Sequence, residues 1–343
     1  MNDQQQNDLS RRKFLGRAVG TVSAMSAGAS IVGSAEPTEA QETPLPAPPA
    51  EKIEGLPTRI LGRTGQRVTI LGLGTAPIGE GPPDTPQAAR IFAEVIDRGV
   101  NYVDTARGYG NAEEALGTIL PGRRDRVFLV TKLWTDKADR AEELLATSLK
   151  TMKVDMIDMV HIHHVGGKDV EQVKADDGIL PFLVKQKEKG TIRYIGMSGH
   201  CRPGRFLEVL KTGLIDVVMP VMNYADRNTY NFEGTVLPEC VRQNVGAVAM
   251  KVYVGIKGGF RNHRRAEIGC ATPVDLLPRA LSYALDLPGV SVANIGPYTM
   301  EQAIANVELA KNYKPLTDEQ RESLLAYGKE LAAEIGPRYG PVE

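Results

Sequence analysis

A strand followed by a helix, repeated eight times, constrains this chain more than any other feature of its sequence. Val68–Thr75 is apolar and closes on Gly-Leu-Gly-Thr, and Thr85–Arg98 follows with Ala, Ile, Phe and Val at helical spacing. The couplet recurs as Asn101–Ala106 with Ala112–Leu120, Val127–Leu133 with Arg140–Met152, Met156–His163 with Leu180–Lys189, and Ile192–Ser198 with Pro203–Lys211. Val217–Asn223 with Thr235–Gln243, Ala247–Val252 with Val274–Leu285, and Val290–Ile295 with Met300–Ala310 complete the series. The strand segments are continuous apolar runs, as a parallel sheet covered by helices requires, and the helical segments are amphipathic with period 3.6. Eight such units in about 250 residues predict an α/β fold of the (β/α)8 TIM-barrel type rather than an open doubly wound sheet. Arg59–Val68 predicts a β-hairpin with a Thr-Gly turn ahead of the first barrel strand, and Asp318–Ile335 predicts an extra C-terminal helix.

The residues before the barrel carry a different message. Ser10-Arg11-Arg12-Lys13-Phe14-Leu15 precedes a weakly apolar, small-residue run from Gly16 to Ala35. Charge, then a soft apolar stretch, then small residues is the layout of a removable signal peptide, and the paired arginines resemble a twin-arginine export signal. The reading for residues 1–35 is therefore a signal peptide, with twin-arginine export machinery as a partner and a periplasmic or extracellular destination. Gly, Ser and Thr in this run, together with Arg17, argue against stable membrane insertion. Residues 36–57 are rich in Pro, Glu and Ala without a repeating apolar face, which predicts a disordered tether, and the barrel domain is expected over 58–343. Forty-one basic residues against forty-two acidic ones give no reason to expect nucleic acid as a partner. Three scattered cysteines indicate neither a disulfide framework nor a CxxC metal site.

Barrel enzymes place their chemistry where strands end, so polar residues at those ends are the candidates. Asp104 closes the second strand with Tyr109 in the following loop, Lys132 closes the third strand, and His163 closes the fourth. Reduction of a carbonyl needs a hydride on carbon and a proton on oxygen. A tyrosine near its ordinary pKa of about 10 is a slow donor at neutral pH; a lysine ammonium beside it would lower that value, an aspartate would hold the lysine, and a histidine would polarise the substrate oxygen. Trp134, the single tryptophan, is a candidate pocket wall.

Val103–Gly117 (VDTARGYGNAEEALG), Leu129–Trp134 (LVTKLW) and Asp155–His164 (DMIDMVHIHH) resemble the segments of the aldo/keto reductase family that carry its catalytic Asp, Tyr, Lys and His. RILGRTG, GTIRYIGMS and Val290–Asn306 resemble the family in the same order, so the likeness runs from about Arg59 onward. It implies an oxidoreductase interconverting a small-molecule carbonyl and an alcohol with NADP or NAD, using Asp104, Tyr109, Lys132 and His163. It further implies Thr75 and Ser198 at the nicotinamide half, Met250 beside the ring, and Gln302 and Asn306 at the adenine end. Three positions depart from the family pattern: Gly199 replaces an Asn, Met219 a Gln, and Met250 an aromatic. Lys257, Arg261, Arg264 and Arg265 are candidate clamps for pyrophosphate or a 2′-phosphate, while Gly296-Pro297-Tyr298 supplies no such cation, which leaves NADP against NAD open. Cofactor loaded before export would need slow release afterwards. Two alternatives stay open: a cofactor-binding, redox-responsive protein without turnover, and a metal-dependent barrel hydrolase using His161 and His163, with His164 and His200 also available.

Overall fold

A computed structural model describes residues 51–255 and 269–343. The strands are β1 (Lys52–Ile53), β2 (Leu56–Ile60), β3 (Arg67–Thr69), β4 (Leu71–Gly74), β5 (Tyr102–Asp104), β6 (Phe128–Leu133), β7 (Ile157–Ile162), β8 (Ile192–Gly199), β9 (Val217–Pro220), β10 (Gly246–Met250) and β11 (Val290–Ile295). The helices are α1 (Ala76–Gly79), α2 (Thr85–Asp97), α3 (Ala112–Ile119), α4 (Ala138–Met152), α5 (Val170–Lys174), α6 (Ile179–Glu188), α7 (Pro203–Leu210), α8 (Phe232–Gln243), α9 (Leu277–Asp286), α10 (Met300–Lys311) and α11 (Asp318–Ile335). Strands β4 to β11 close into a barrel in chain order, and every neighbouring pair is parallel. The expected (β/α)8 fold is present, with the hairpin before it and α11 after it.

Two boundaries differ from the sequence reading. Val68–Thr75 is not one strand, because the chain changes partners at Ile70: β3 pairs antiparallel with β2, whereas β4 pairs in parallel with β11 and β5. The expected tether to residue 57 and domain start at 58 also shift, since β1 and β2 pair antiparallel from Lys52 onward. The signal-peptide reading for 1–35 and the rest of the tether through residue 50 lie outside the described residues.

Helix starts follow from capping chemistry. Asp84 accepts from Gln87 N at 2.8 Å while the Gln87 side chain accepts from Asp84 N, closing a capping box ahead of α2. Thr317 and Gln320 repeat that arrangement at α11. The short helices α1 and α5 have too few residues to leave a periodic signal, and sequence reading missed both.

Strand periodicity decides what fills the barrel. Side chains alternate between the interior and the helix layer, so Tyr102, Phe128, Val130, Met159, Val217, Met219, Val248, Met250 and Val292 form one internal cluster. Leu61 and Val68 from the hairpin belong to the same cluster and are fully buried, and the Tyr194 hydroxyl donates to Thr64 O at 2.9 Å. The hairpin thus seals the N-terminal end of the barrel. Its turn is permitted by Gly65 in the left-handed region at φ 66°.

Above that cluster the interior turns polar. His161 is fully buried on β7, opposite Gly196 of β8. A Cβ at Gly196 would stand closer than 3.0 Å to the His161 ring, so the glycine makes room for the imidazole. Gly196→Ala is therefore expected to destabilise the fold by about 1–3 kcal/mol through overpacking. Urea unfolding checks this. A wild-type midpoint and slope would show that the imidazole is not confined as described.

Candidate active site

The alternation that fills the barrel also aims the catalytic candidates. Tyr102, Phe128 and Met159 face inward, so Asp104, Lys132 and His163 are reached two or four residues later on the same face, at the C-terminal end. His163 N continues the sheet by donating to Leu133 O at 3.1 Å. Lys132 and Asp104 are 1% and 2% exposed, and Lys132 Nζ donates to Asp104 Oδ2 at 2.7 Å and to Thr105 O at 2.8 Å. The Tyr109 ring lies over that ammonium, its centroid 4.6 Å from Nζ. The Tyr109 and His163 rings meet edge to face at 5.8 Å. All four residues predicted from the sequence converge.

They meet at a cleft of about 540 Å³ whose lining includes Asp104, Tyr109, Trp134, His163, Met250 and Asn294. Asn294 was missed in the sequence, although it sits near the end of the eighth barrel strand where the same rule would have found it. Its Nδ2 donates to Asp104 Oδ2 at 2.9 Å, giving that carboxylate a second donor. Tyr339 also lines the cleft, its ring tilted against His200 with centroids 5.2 Å apart. It is held there by Arg338, which donates to Asp226 Oδ2 at 2.8 Å and to Val254 O. A residue beyond the last helix leaves no periodic trace in the sequence.

Electrostatics correct one expectation. The Tyr109 phenol is raised well above its ordinary value, chiefly by burial and further by the negative charges of Asp104 and Glu80. The lysine was expected to lower it. In this geometry burial wins, and the phenol is held protonated. Burial also raises Asp104 and lowers Lys132, each opposed by the other's charge. His163 is lowered well below the usual imidazole range by burial and then by Lys132, His164, His161 and Lys168, so it is neutral at pH 7. Lys251, which lines the cleft with φ 58°, is lowered to about 8 by burial.

The residues implied for a cofactor divide into two groups. Thr75 lies between two cleft-lining residues, Gly74 and Ala76, and Ser198 is an inward position on β8. The hydroxyls of both are buried without a protein partner, as are Asn294 Oδ1 and Tyr298 OH. Buried polar atoms demand partners, so this set suits a ligand rich in amide and hydroxyl groups, as a dinucleotide is. Gln302 and Asn306 on α10 are not among the cleft-lining residues. Gln302 Oε1 accepts from Tyr298 N at 2.8 Å, and Asn306 Oδ1 accepts from the Tyr253 hydroxyl at 3.2 Å. Both therefore hold residues of the cleft wall. Lys257, Arg261, Arg264 and Arg265 lie outside the described residues.

Two of the departures from the family pattern have visible surroundings. A Cβ at Gly199 would meet the Phe206 ring at 3.0 Å, so a larger side chain there would be crowded. The Met219 thioether accepts from Asn294 Nδ2 at 3.5 Å. The histidines do not assemble into a metal centre: among the described residues no three His, Cys, Asp or Glu side chains are grouped to hold an ion. A larger hollow of about 720 Å³ lies elsewhere, lined by Arg59, Asp286, Tyr313 and Arg321. These polar groups are satisfied within its wall: Asp286 accepts from Tyr313 at 2.8 Å and Arg321 at 2.9 Å, and Arg59 donates to Leu285 O and Val290 O.

Comparison with known proteins bears on the family and the fold. Residues 70–327 match the model of the aldo/keto reductase family. An uncharacterised oxidoreductase of Bacillus subtilis, YqkF, is 26% identical, covering 79% of this chain and 96% of the relative. The L-galactose dehydrogenase of Arabidopsis thaliana is 27% identical over 56% of this chain and 63% of its own length. Among solved structures, the holo form of aldo-keto reductase AKR11C1 from Bacillus halodurans superposes with a TM-score of 0.65 at 28% identity, covering 79% of this chain and 96% of its own. With the barrel, the converging Asp, Tyr, Lys and His, and a match across most of its length, the chain belongs to the aldo/keto reductase family of oxidoreductases.

Proposed function

We propose that this protein reduces a small-molecule carbonyl to an alcohol, with Tyr109 as the proton donor and NADPH or NADH as the reductant. The observation that carries the reading is the packing of the Tyr109 ring between the Lys132 ammonium and the His163 imidazole, at the wall of one cleft. A bound dinucleotide supplies hydride; the remaining chemistry belongs to this chain. Tyr109, protonated in its buried setting, donates its proton to the oxygen that gains charge. Neutral His163 donates a hydrogen bond to the same oxygen and cannot compete as an acid near pH 7. Lys132, fixed by Asp104 and Thr105 O, places positive charge under the phenol when phenolate forms, and Asn294 keeps Asp104 aimed at Lys132. Trp134 and Tyr339 wall the cleft. Thr75 and Ser198 are the hydroxyls best placed to meet a carboxamide.

The N-terminal run Ser10–Leu15 supports a separate proposal, export of the folded protein by twin-arginine machinery. Changing Arg11 and Arg12 together to Lys is then expected to hold the protein in the cytoplasm on fractionation. Unaltered distribution would remove this proposal without touching the chemistry.

Tyr109→Phe is expected to lower kcat by roughly 10²–10⁴-fold while leaving dinucleotide affinity near wild type. Both are read with NADPH and NADH against a panel of aldehydes and ketones. Tight dinucleotide binding with no turnover of any carbonyl would instead favour a binding protein on the same fold. The pH profile offers a second check. A His whose folded pKa is depressed stays neutral until the pH falls well below 6.5, so reduction should show no acid limb between pH 6 and 7. An inflection near 6.5 that disappears in His163→Gln would contradict that assignment.

A further inference from the structure

Several cations that leave water in the described residues are compensated directly. Arg107, Arg124, Lys132 and Arg338 each meet a carboxylate at 2.5 to 2.8 Å. The turn after β7 differs from these. Lys168 is only 8% exposed, yet its ammonium sits 5.1 Å from the centre of the Trp134 ring, with no carboxylate in ion-pair contact among the described residues. Asp136 is the carboxylate whose field reaches it, and burial outweighs that field, lowering the amine from its ordinary value. Two further cations surround the same turn. Arg202 donates to Gly166 O at 3.1 Å, and Arg205 donates to Gly166 O at 3.1 Å and to Lys168 O at 2.5 Å. Neither forms an ion pair among the described residues.

The aromatic groups connect this charge to the reacting end of the cleft. Trp134 is 60% exposed, meets the His163 ring at 4.9 Å and stacks on His164 at 5.3 Å. Trp134 therefore touches the catalytic imidazole, His164 and the buried Lys168. His164 lines the cleft, and its proton affinity is lowered by burial and then by Lys168 and Arg202, as expected in a region of net positive potential. His164 and Arg202 both hold left-handed backbone, at φ 61° and φ 49°, a conformation uncommon for such residues and concentrated at functional sites. Uncompensated positive charge at a half-dry, aromatic-walled rim is the environment that recognises an anion.

Resting on the reductase reading above, we propose that the substrate is an anionic carbonyl compound, whose carboxylate or phosphate is bound by Lys168 and His164 beside Trp134. The carbonyl lies at Tyr109 and His163, and the anion lies across the Trp134 edge. Lys168 acts as a specificity residue through charge and does not take part in proton transfer.

Trp134 is the only tryptophan, so its emission reports anion binding without any turnover. Titration with tartrate and with inorganic phosphate is expected to give a saturable change in the wild type, lost in Lys168→Met. Two matched pairs provide the kinetic arm: succinic semialdehyde against butanal, and glyceraldehyde 3-phosphate against glyceraldehyde. A charged member should be preferred in kcat/KM by about tenfold or more, with the ratio falling toward one in Lys168→Met and partly kept in Lys168→Arg. The responding pair, carboxylate or phosphate, identifies the anion. Ratios near one in the wild type, or a preference that survives Lys168→Met, would overturn the proposal. Should Lys168→Met fail to fold, the wild-type emission and ratios decide alone. Anion binding without turnover of any carbonyl would retain the site and remove the reductase reading. Equal reduction of charged and neutral members would do the reverse.

Discussion

The ion pair between Lys132 and Asp104 is the contact on which the rest of the site depends. Two charges inside a barrel carry a large desolvation cost, and the 2.7 Å contact offsets it only because Thr105 O and Asn294 Nδ2 satisfy further valences. Once that pair is fixed, the phenol of Tyr109 has a cation beneath its ring and an anion behind it. The cation favours phenolate when it forms, and burial together with the anion favours phenol before it does. A donor that is protonated at rest and supported after transfer is what proton delivery to a carbonyl oxygen demands. Removing Asp104 would leave a buried ammonium uncompensated, which costs more than the pair itself contributes.

Much of this was legible in the sequence because barrels convert linear position into depth. Alternation along β5, β6 and β7 guaranteed that Asp104, Lys132 and His163 would face one interior, and the parallel order put those strands side by side. What stayed hidden depended on contacts between distant segments. The change of partner at Ile70 is a matter of tertiary pairing, and nothing in Val68–Thr75 announces it. Tyr339 reaches the cleft through the buried Arg338–Asp226 bond, 112 residues apart in the chain. The proton affinity of Tyr109 could not be ranked from spacing, since burial and the Glu80 charge are properties of the folded cleft. Asn294 differs from these, because it ends a strand like the others and only its amide side chain kept it from notice.

Backbone strain is distributed in a pattern that the sequence does not disclose. His164, Arg202 and Lys251 hold positive φ just after β7, β8 and β10, where the barrel opens. Each is basic and each costs conformational energy that an element interior would not tolerate. Asn223 Nδ2 donates to Lys251 O at 3.0 Å, and the Arg202 guanidinium is tied to Gly166 O. Main-chain turns and side-chain contacts together hold this positive charge close to the cleft.

The hairpin plug carries a consequence for traffic. Leu61 and Val68 pack into the barrel's far end, so among the described residues the cleft is reached from the side of Trp134. Two molecules sharing a dead-end chamber must queue. If a dinucleotide and a substrate share it, the one seated deeper, toward Asp104, would leave after the other.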